Sequence, residues 1–184
     1  MQRIILASTS PRRRQLLAQI GMVFEVMESH VDENISGTAK EIVRELALRK
    51  AHAVAQKIKG NATIIGADTL VSVDDVVLEK PRDHHEAFNM LKLLQGRKHQ
   101  VCTGVAVIKN GTEQAFVEQA DVFFRPLSDD EIHAYMATGE PFDKAGGYGI
   151  QGHGATLVQR IEGDFYTVMG LPLCRLYQLI TDKL

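Results

Sequence analysis

His99-Gln-Val-Cys-Thr-Gly-Val-Ala-Val-Ile108 is followed by Lys109-Asn110-Gly111 and then by Thr112-Glu-Gln-Ala-Phe-Val-Glu-Gln-Ala-Asp-Val-Phe-Phe124. Two long β-prone runs flank an Asn-Gly pair, a residue pair suited to the positive φ angles of a tight hairpin turn. They read as one long antiparallel hairpin. The first half of the chain reads differently. Strand signals at Ile4 to Ala7, Val23 to Met27 and Thr63 to Gly66 alternate with helix signals, the pattern of βα units. A chain with both features is an α/β protein with a mixed sheet, and a purely parallel doubly wound sheet is disfavoured.

The helices carry their own stop and start marks. Pro11 to Ile20 is a helix ended by Gly21, with Ser10 placed to cap it and Pro11 fitting the first turn. Thr38-Ala-Lys-Glu41 is a capping box that opens a helix to about Ile58, with Ile42, Val43, Leu46, Ala47, Ala53 and Val54 on one face. Leu70 to Val73 and Val76 to Leu78 flank Asp74-Asp75 as a short hairpin. His84 to Leu94 is a helix backed by Gly96. Ser128-Asp-Asp-Glu131 is a second capping box, for a helix to about Met136. Gly139 to Gly154 is a glycine-rich loop, Ala155 to Ile161 a strand, Gly163-Asp164 a turn and Leu173 to Ile180 a closing helix. One α/β domain over residues 1–184 is expected, with an arrangement of two lobes around a cleft open to it.

Length and composition narrow the function. The chain has 184 residues, 45% hydrophobic and 24% charged, with a net charge of -2. That size supports a substantial core. A mildly acidic chain without Trp or basic-aromatic alternation argues against binding nucleic acid. No apolar run is long enough to span a bilayer, so no membrane partner is expected. Cys102 and Cys174 lie far apart in apolar stretches and form no CxxC. They are expected to be buried thiols, and with no signal peptide they point to the cytoplasm. No HExxH or HxxxH pattern occurs among the histidines, and His84-His85 reads as a solvated face.

Arg12, Arg13 and Arg14 stand where a helix N-terminus is already partially positive and prefers acids. Free backbone N–H groups, nearby hydroxyls and guanidinium forks suit phosphate oxygens. A polyphosphate site is one reading and a solvated basic turn the other. Arg14 faces away from Arg12 and is left to solvent. Gly66-Ala67-Asp68-Thr69 reads as a strand end, where open α/β sheets hold ligands. Asp68 there either activates water, holds a divalent cation or closes a turn. In Glu79-Lys80-Pro81-Arg82-Asp83, Lys80 faces a phosphate or solvent, and Asp83 serves a metal or caps the next helix. Glu33 and Lys50 matter only if the fold brings them to the same cleft.

Asp143-Lys144-Ala-Gly146-Gly147-Tyr148-Gly149-Ile150-Gln151-Gly152 is dense in glycine, which lets backbone approach a ligand closely. Tyr148 could stack or donate. Gln151 offers an acceptor and two donors, suited to a nucleobase edge. The segment lacks the GK[ST] ending of a Walker A loop and the strand and helix that flank a dinucleotide fingerprint. A surface loop is the alternative.

Taken together, Ala7-Ser-Thr-Ser-Pro-Arg-Arg13, Gly66-Ala-Asp-Thr69, Glu79-Lys-Pro-Arg-Asp83, His99-Gln-Val-Cys-Thr-Gly104, Glu140-Pro-Phe-Asp-Lys-Ala-Gly146, Tyr148-Gly-Ile-Gln-Gly152 and Gly170-Leu-Pro-Leu173 resemble the Maf family of nucleoside triphosphate pyrophosphatases. The resemblance covers essentially the whole chain in order. It implies an elongated mixed sheet flanked by helices, two lobes around a cleft as in inosine triphosphate pyrophosphatases, and a homodimer as a recurring state. It implies that Asp68 is the general base. Ser8, Arg12, Arg13, Lys50 and Lys80 are then the phosphate-binding side chains, and Glu33 with Asp68 the ligands of Mg²⁺ or Mn²⁺. Arg12, Thr69 and Gln151 match positions tied to base selection. The loop sequence is similar to the subgroup acting on dTTP and UTP rather than the one preferring 7-methyl-GTP. Cleavage between the α- and β-phosphates is implied. A non-catalytic nucleotide-binding regulator of cell division is the alternative, and it would not need Asp68 beside a metal and water.

Overall fold

The computed structural model describes residues 3–181. In chain order the elements are β1 (Ile4–Leu6), α1 (Pro11–Gln19), β2 (Glu25–Val26), α2 (Ala39–Ala55), β3 (Thr63–Val73), β4 (Val76–Leu78), α3 (His84–Leu94), β5 (Lys98–Lys109) and β6 (Thr112–Phe124). They continue with α4 (Asp129–Met136), three short 3₁₀ turns between Glu140 and Thr156, β7 (Val158–Glu162), α5 (Phe165–Met169) and α6 (Leu173–Thr181). The strands form one seven-stranded sheet in the order β2-β1-β3-β5-β6-β7, with β4 also beside β3. β2, β1 and β3 are parallel, and the other pairings are antiparallel. The mixed α/β sheet follows from the hairpin as expected. Asn110 and Gly111 turn it at φ 52° and 78°.

β3 corrects the sequence reading. Thr63 to Gly66 and Leu70 to Val73 are not separate strands. One strand runs through Gly66-Ala67-Asp68-Thr69 and pairs with β5 from Thr63–Lys109 to Ser72–Gln100. Gly66 is there for close approach, not for a break. A Cβ on it would lie 2.2 Å from the Ala47 carbonyl oxygen, and one on Gly104 of β5 would lie 2.2 Å from that of Val43. Both carbonyls belong to α2, which therefore lies tight against the sheet.

The other edge of β3 positions the site. β1 covers Thr63 to Ile65 and β4 covers Val71 to Val73. Between them, on this edge, Gly66 to Leu70 has no strand alongside among the described residues. Successive side chains of a strand point to opposite faces, so Asp68 and Thr69 reach this opening from either side of the sheet.

α2 covers one face, with Ala47, Ala51 and Val54 packed on Ile5, Ile64 and Ala106. The opposite face carries two apolar clusters. Leu16 and Leu17 of α1 and Leu173, Leu176 and Ile180 of α6 pack over Ala67 and Val105. Leu91 and Leu94 of α3 and Ile132 and Tyr135 of α4 pack over Val71, Val101 and Phe124. Along β3 and β5, Thr69 and Thr103 fall between the clusters. The two lobes thus share one sheet, with a polar floor where they part.

Both capping boxes are present as read. Asp83 caps α3 by accepting from the Glu86 N–H at 2.8 Å. Smaller differences have local causes. α2 ends at Ala55 rather than near Ile58, and β2 is only two residues long. β7 starts at Val158 because Gly152–Thr156 winds as a 3₁₀ turn. α5 has no signature in the sequence, since five residues are too few to leave a helical period. Cys102 is buried but Cys174 is exposed, against the expectation of two buried thiols, because α6 turns it outward. Among the described residues no helix is long and apolar enough to cross a membrane.

Candidate active site

α1 begins immediately beyond the end of β1, beside the opening on β3. Ser10 holds the N-cap position and Pro11 the first turn, but the Ser10 hydroxyl makes no cap bond. The capping expectation fails; the nearby Ser8 Oγ accepts from the Ser10 N–H at 3.3 Å, which is not one of the first-turn N–H groups a cap would serve. No acid lies in the first turn of α1.

Arg13 is the hub. Its Nε donates to the Gly170 carbonyl at 2.8 Å, Nη1 to Ser8 Oγ at 3.2 Å and Nη2 to Thr69 Oγ1 at 3.0 Å. Burial pushes the guanidinium down from its ordinary pKa, and the nearby Asp68 charge opposes that. Ser8 accepts from two donors, so its own proton is left to give, which suits an anionic oxygen. Arg12 is half-buried and donates to Asp143 Oδ2 at 3.2 Å. Arg14 is exposed, as expected.

Lys50 reaches from α2 to the same opening. Its Nζ lies 2.6 Å from Asp68 Oδ1 and 2.6 Å from Glu33 Oε1. Lys50 and Asp68 are both buried, and buried charges persist only when paired. Asp68 is therefore not at a strand end but in the middle of β3. It stands at the site because the neighbouring strand β1 ends there.

Ser8, Arg12, Arg13, Glu33, Lys50, Asp68, Thr69, Lys80 and Gln151 all line one cavity of about 550 Å³. Lys80 is exposed at its rim. Sequence reasoning left Glu140, Asp143 and Lys144 out of the site, yet they line it too. Asp143 accepts from Arg12 and, at 2.5 Å, from Lys144. The signal for such a partner was available, since an arginine at a helix start needs an anion.

The glycine-rich segment is tied down rather than loose. The Glu140 carboxylate accepts the N–H groups of His153 at 2.9 Å and Gly154 at 3.2 Å. The Tyr135 hydroxyl accepts from Gly149 N–H at 3.2 Å. Tyr148 does not present a free ring. It is buried, edge-on to Phe124 at 4.6 Å, with its hydroxyl 2.6 Å from His99 Nε2. Gln151 lines the cavity from an exposed position on its rim.

His99 gives a pH signature. It is fully buried and its Nδ1 has no partner. Burial lowers its pKa to about 4, with Asp121 opposing. The unfolded chain takes up this proton first, near its ordinary value. Stability from His99 is thus complete above about pH 7 and is lost as pH falls from about 6.5 to 4. The loss is about 3 kcal/mol for a shift of that size. Urea unfolding at pH 7 and pH 4.5 should show that drop, and His99→Gln should flatten it. An equal slope in the variant would remove His99 as the cause.

No three His, Cys, Asp or Glu side chains group as a metal cage among the described residues. The donor set is a pair, Glu33 and Asp68, sharing one ammonium. That fits Mg²⁺ or Mn²⁺, which keep waters and take one or two carboxylates plus substrate phosphates.

The chain matches the family described as Maf-like protein over residues 3–183. A dTTP/UTP pyrophosphatase of Symbiobacterium thermophilum is 51% identical over 184 residues, covering 99% of this chain and 94% of the relative. One from Geobacillus sp. is 49% identical, covering 95% of each chain. A solved nucleoside-triphosphatase, a dITP/XTP pyrophosphatase of Mycobacterium abscessus, aligns with 15% identity and a TM-score of 0.46, covering 75% of this chain and 95% of that one. With a family match across nearly its whole length and relatives at about half identity, the chain belongs to the Maf family.

Proposed function

We propose that this protein hydrolyses dTTP and UTP between the α- and β-phosphates, releasing the monophosphate and pyrophosphate. The observation that carries the reading is the buried Lys50–Asp68 pair at 2.6 Å, set in a cavity that also holds Arg12, Arg13 and Lys80. A carboxylate beside clustered cations is what phosphoanhydride hydrolysis requires, and the relatives named dTTP/UTP pyrophosphatase support the substrate.

The substrate brings about four negative charges, which must be neutralised in place. Lys50 carries three donors, so two can serve Asp68 and Glu33 while the third takes a phosphate oxygen. Arg12, Arg13 and Lys80 hold the remaining phosphates, and Ser8 donates its free proton to one of their oxygens. Asp68 accepts a hydrogen bond from the attacking water and takes its proton as the new P–O bond forms. Pyrophosphate leaves along the wall of cations that stabilises its charge. Glu33 and Asp68 would hold Mg²⁺ or Mn²⁺, which supplies charge neutralisation on the phosphates. Gln151 reads the pyrimidine edge from the rim. The cytoplasm, where such nucleotides are made and used, is the compartment this reading expects.

A pyrophosphate-release assay with dTTP, UTP, CTP and 7-methyl-GTP tests it. dTTP and UTP should be the best substrates, and chelating the divalent metal should stop their turnover. Preference for 7-methyl-GTP would overturn the substrate assignment. Binding without release from any of them would favour a nucleotide-binding regulator.

A further inference from the structure

We infer that Thr103 sets the base preference by holding the Thr69 hydroxyl so that it meets the substrate only as a hydrogen-bond acceptor. This rests on the nucleotide reading above. Thr69 and Thr103 are directly opposite on β3 and β5, so their side chains share a face, with hydroxyl oxygens 2.9 Å apart. The direction of every proton along this contact follows from chemistry. Thr103 Oγ1 lies 2.7 Å from the Thr167 carbonyl, which can only accept, so Thr103 spends its one proton there. Thr69 must then donate to Thr103. On its other side Thr69 Oγ1 takes a hydrogen bond from Arg13 Nη2, which can only donate. The Thr69 hydroxyl is left with one lone pair and no proton to offer.

Thr69 lines the cavity, whereas Thr103 is fully buried behind it and is not part of the lining. Thr103 is a positioning residue. An acceptor-only hydroxyl gains nothing from phosphate oxygens and pairs with an N–H. Uracil and thymine carry N3–H. Cytosine has a bare lone pair at N3, which would face another lone pair. Ser8, on the other arm of the Arg13 guanidinium, has the reverse polarity and a proton to give. Arg13 therefore separates a donor hydroxyl for phosphate from an acceptor hydroxyl for the base.

The test compares kcat/KM for UTP and CTP in wild type, Thr103→Val and Thr103→Ser. Valine keeps the shape but cannot accept the Thr69 proton, so that hydroxyl can turn and donate to cytosine. The UTP-to-CTP ratio should fall about tenfold in Thr103→Val and stay within about twofold in Thr103→Ser. Thr103→Ala repeats the measurement should valine not fold. Equal slowing of both substrates would overturn the inference, since a merely structural role moves them together. A second arm compares dTTP with 3′-deoxythymidine triphosphate. If the effect of Thr103→Val vanishes on the 3′-deoxy substrate, the donor is the sugar hydroxyl and the base assignment falls. Wild type that releases no pyrophosphate from UTP would instead remove the proposed function.

Discussion

Asp68→Asn should lower pyrophosphate release from dTTP and UTP by about two to four orders of magnitude, with most of the loss in kcat. The amide has the size of the carboxylate, and its oxygen can still accept from Lys50. What it loses is the negative charge and the ability to take a proton from water. Lys50 keeps Glu33 as a partner at 2.6 Å, so no buried ammonium is left alone and the fold should survive. Phosphate affinity should hold or improve, because one negative charge leaves the wall. Steady-state kinetics with a thermal melt separates the effects. Turnover near wild type would take Asp68 out of the chemistry.

Arg13→Ala should lower kcat/KM by about a hundredfold or more, with KM raised and kcat reduced together. Two losses coincide. The phosphates lose a cation, and Ser8, Thr69 and the Gly170 carbonyl lose the donor that holds them in register. Ser8 and Thr69 keep their bonds to Ser10 and Thr103, and leaving the Gly170 carbonyl unpaired costs about 1–3 kcal/mol of stability. Arg13→Lys tells charge from geometry. Lysine restores the charge but not the planar fork that spans three acceptors, so recovery should be partial. An unchanged kcat/KM in Arg13→Ala would refute its place at the phosphates.

Much of this was legible in the order of residues. Asn110-Gly111 between two alternating runs is a local signal that needs no distant partner, and the hairpin followed. Thr38 with Glu41, and Ser128 with Glu131, are reciprocal caps written within four residues. The arginines announced an anion because a helix start is a poor place for cations. What failed was reading Gly66 and Asp68 as a strand end. Glycine in a strand resembles a break, and only the path of α2 shows that Gly66 and Gly104 are spaces for the carbonyls of Ala47 and Val43. The contacts made by His99, Thr103 and Thr167 were not legible, because their partners lie on other elements and a strand threonine is ordinary in itself.

The separate strength of the two sources is clearest at the opening on β3. Local chemistry, which acts over a turn or a few residues, determined the long hairpin, most of the helices, the two capping boxes and the presence of Asp68, Lys50 and Arg13. Nothing local says that β1 stops opposite Ile65 of β3 while β4 covers β3 only from Val71 onward. That gap depends on where separate strands pair. It brings α1, α2 and the glycine-rich segment around the open edge of residues 66–70, whose other edge is paired with β5, and turns scattered charges into one cavity.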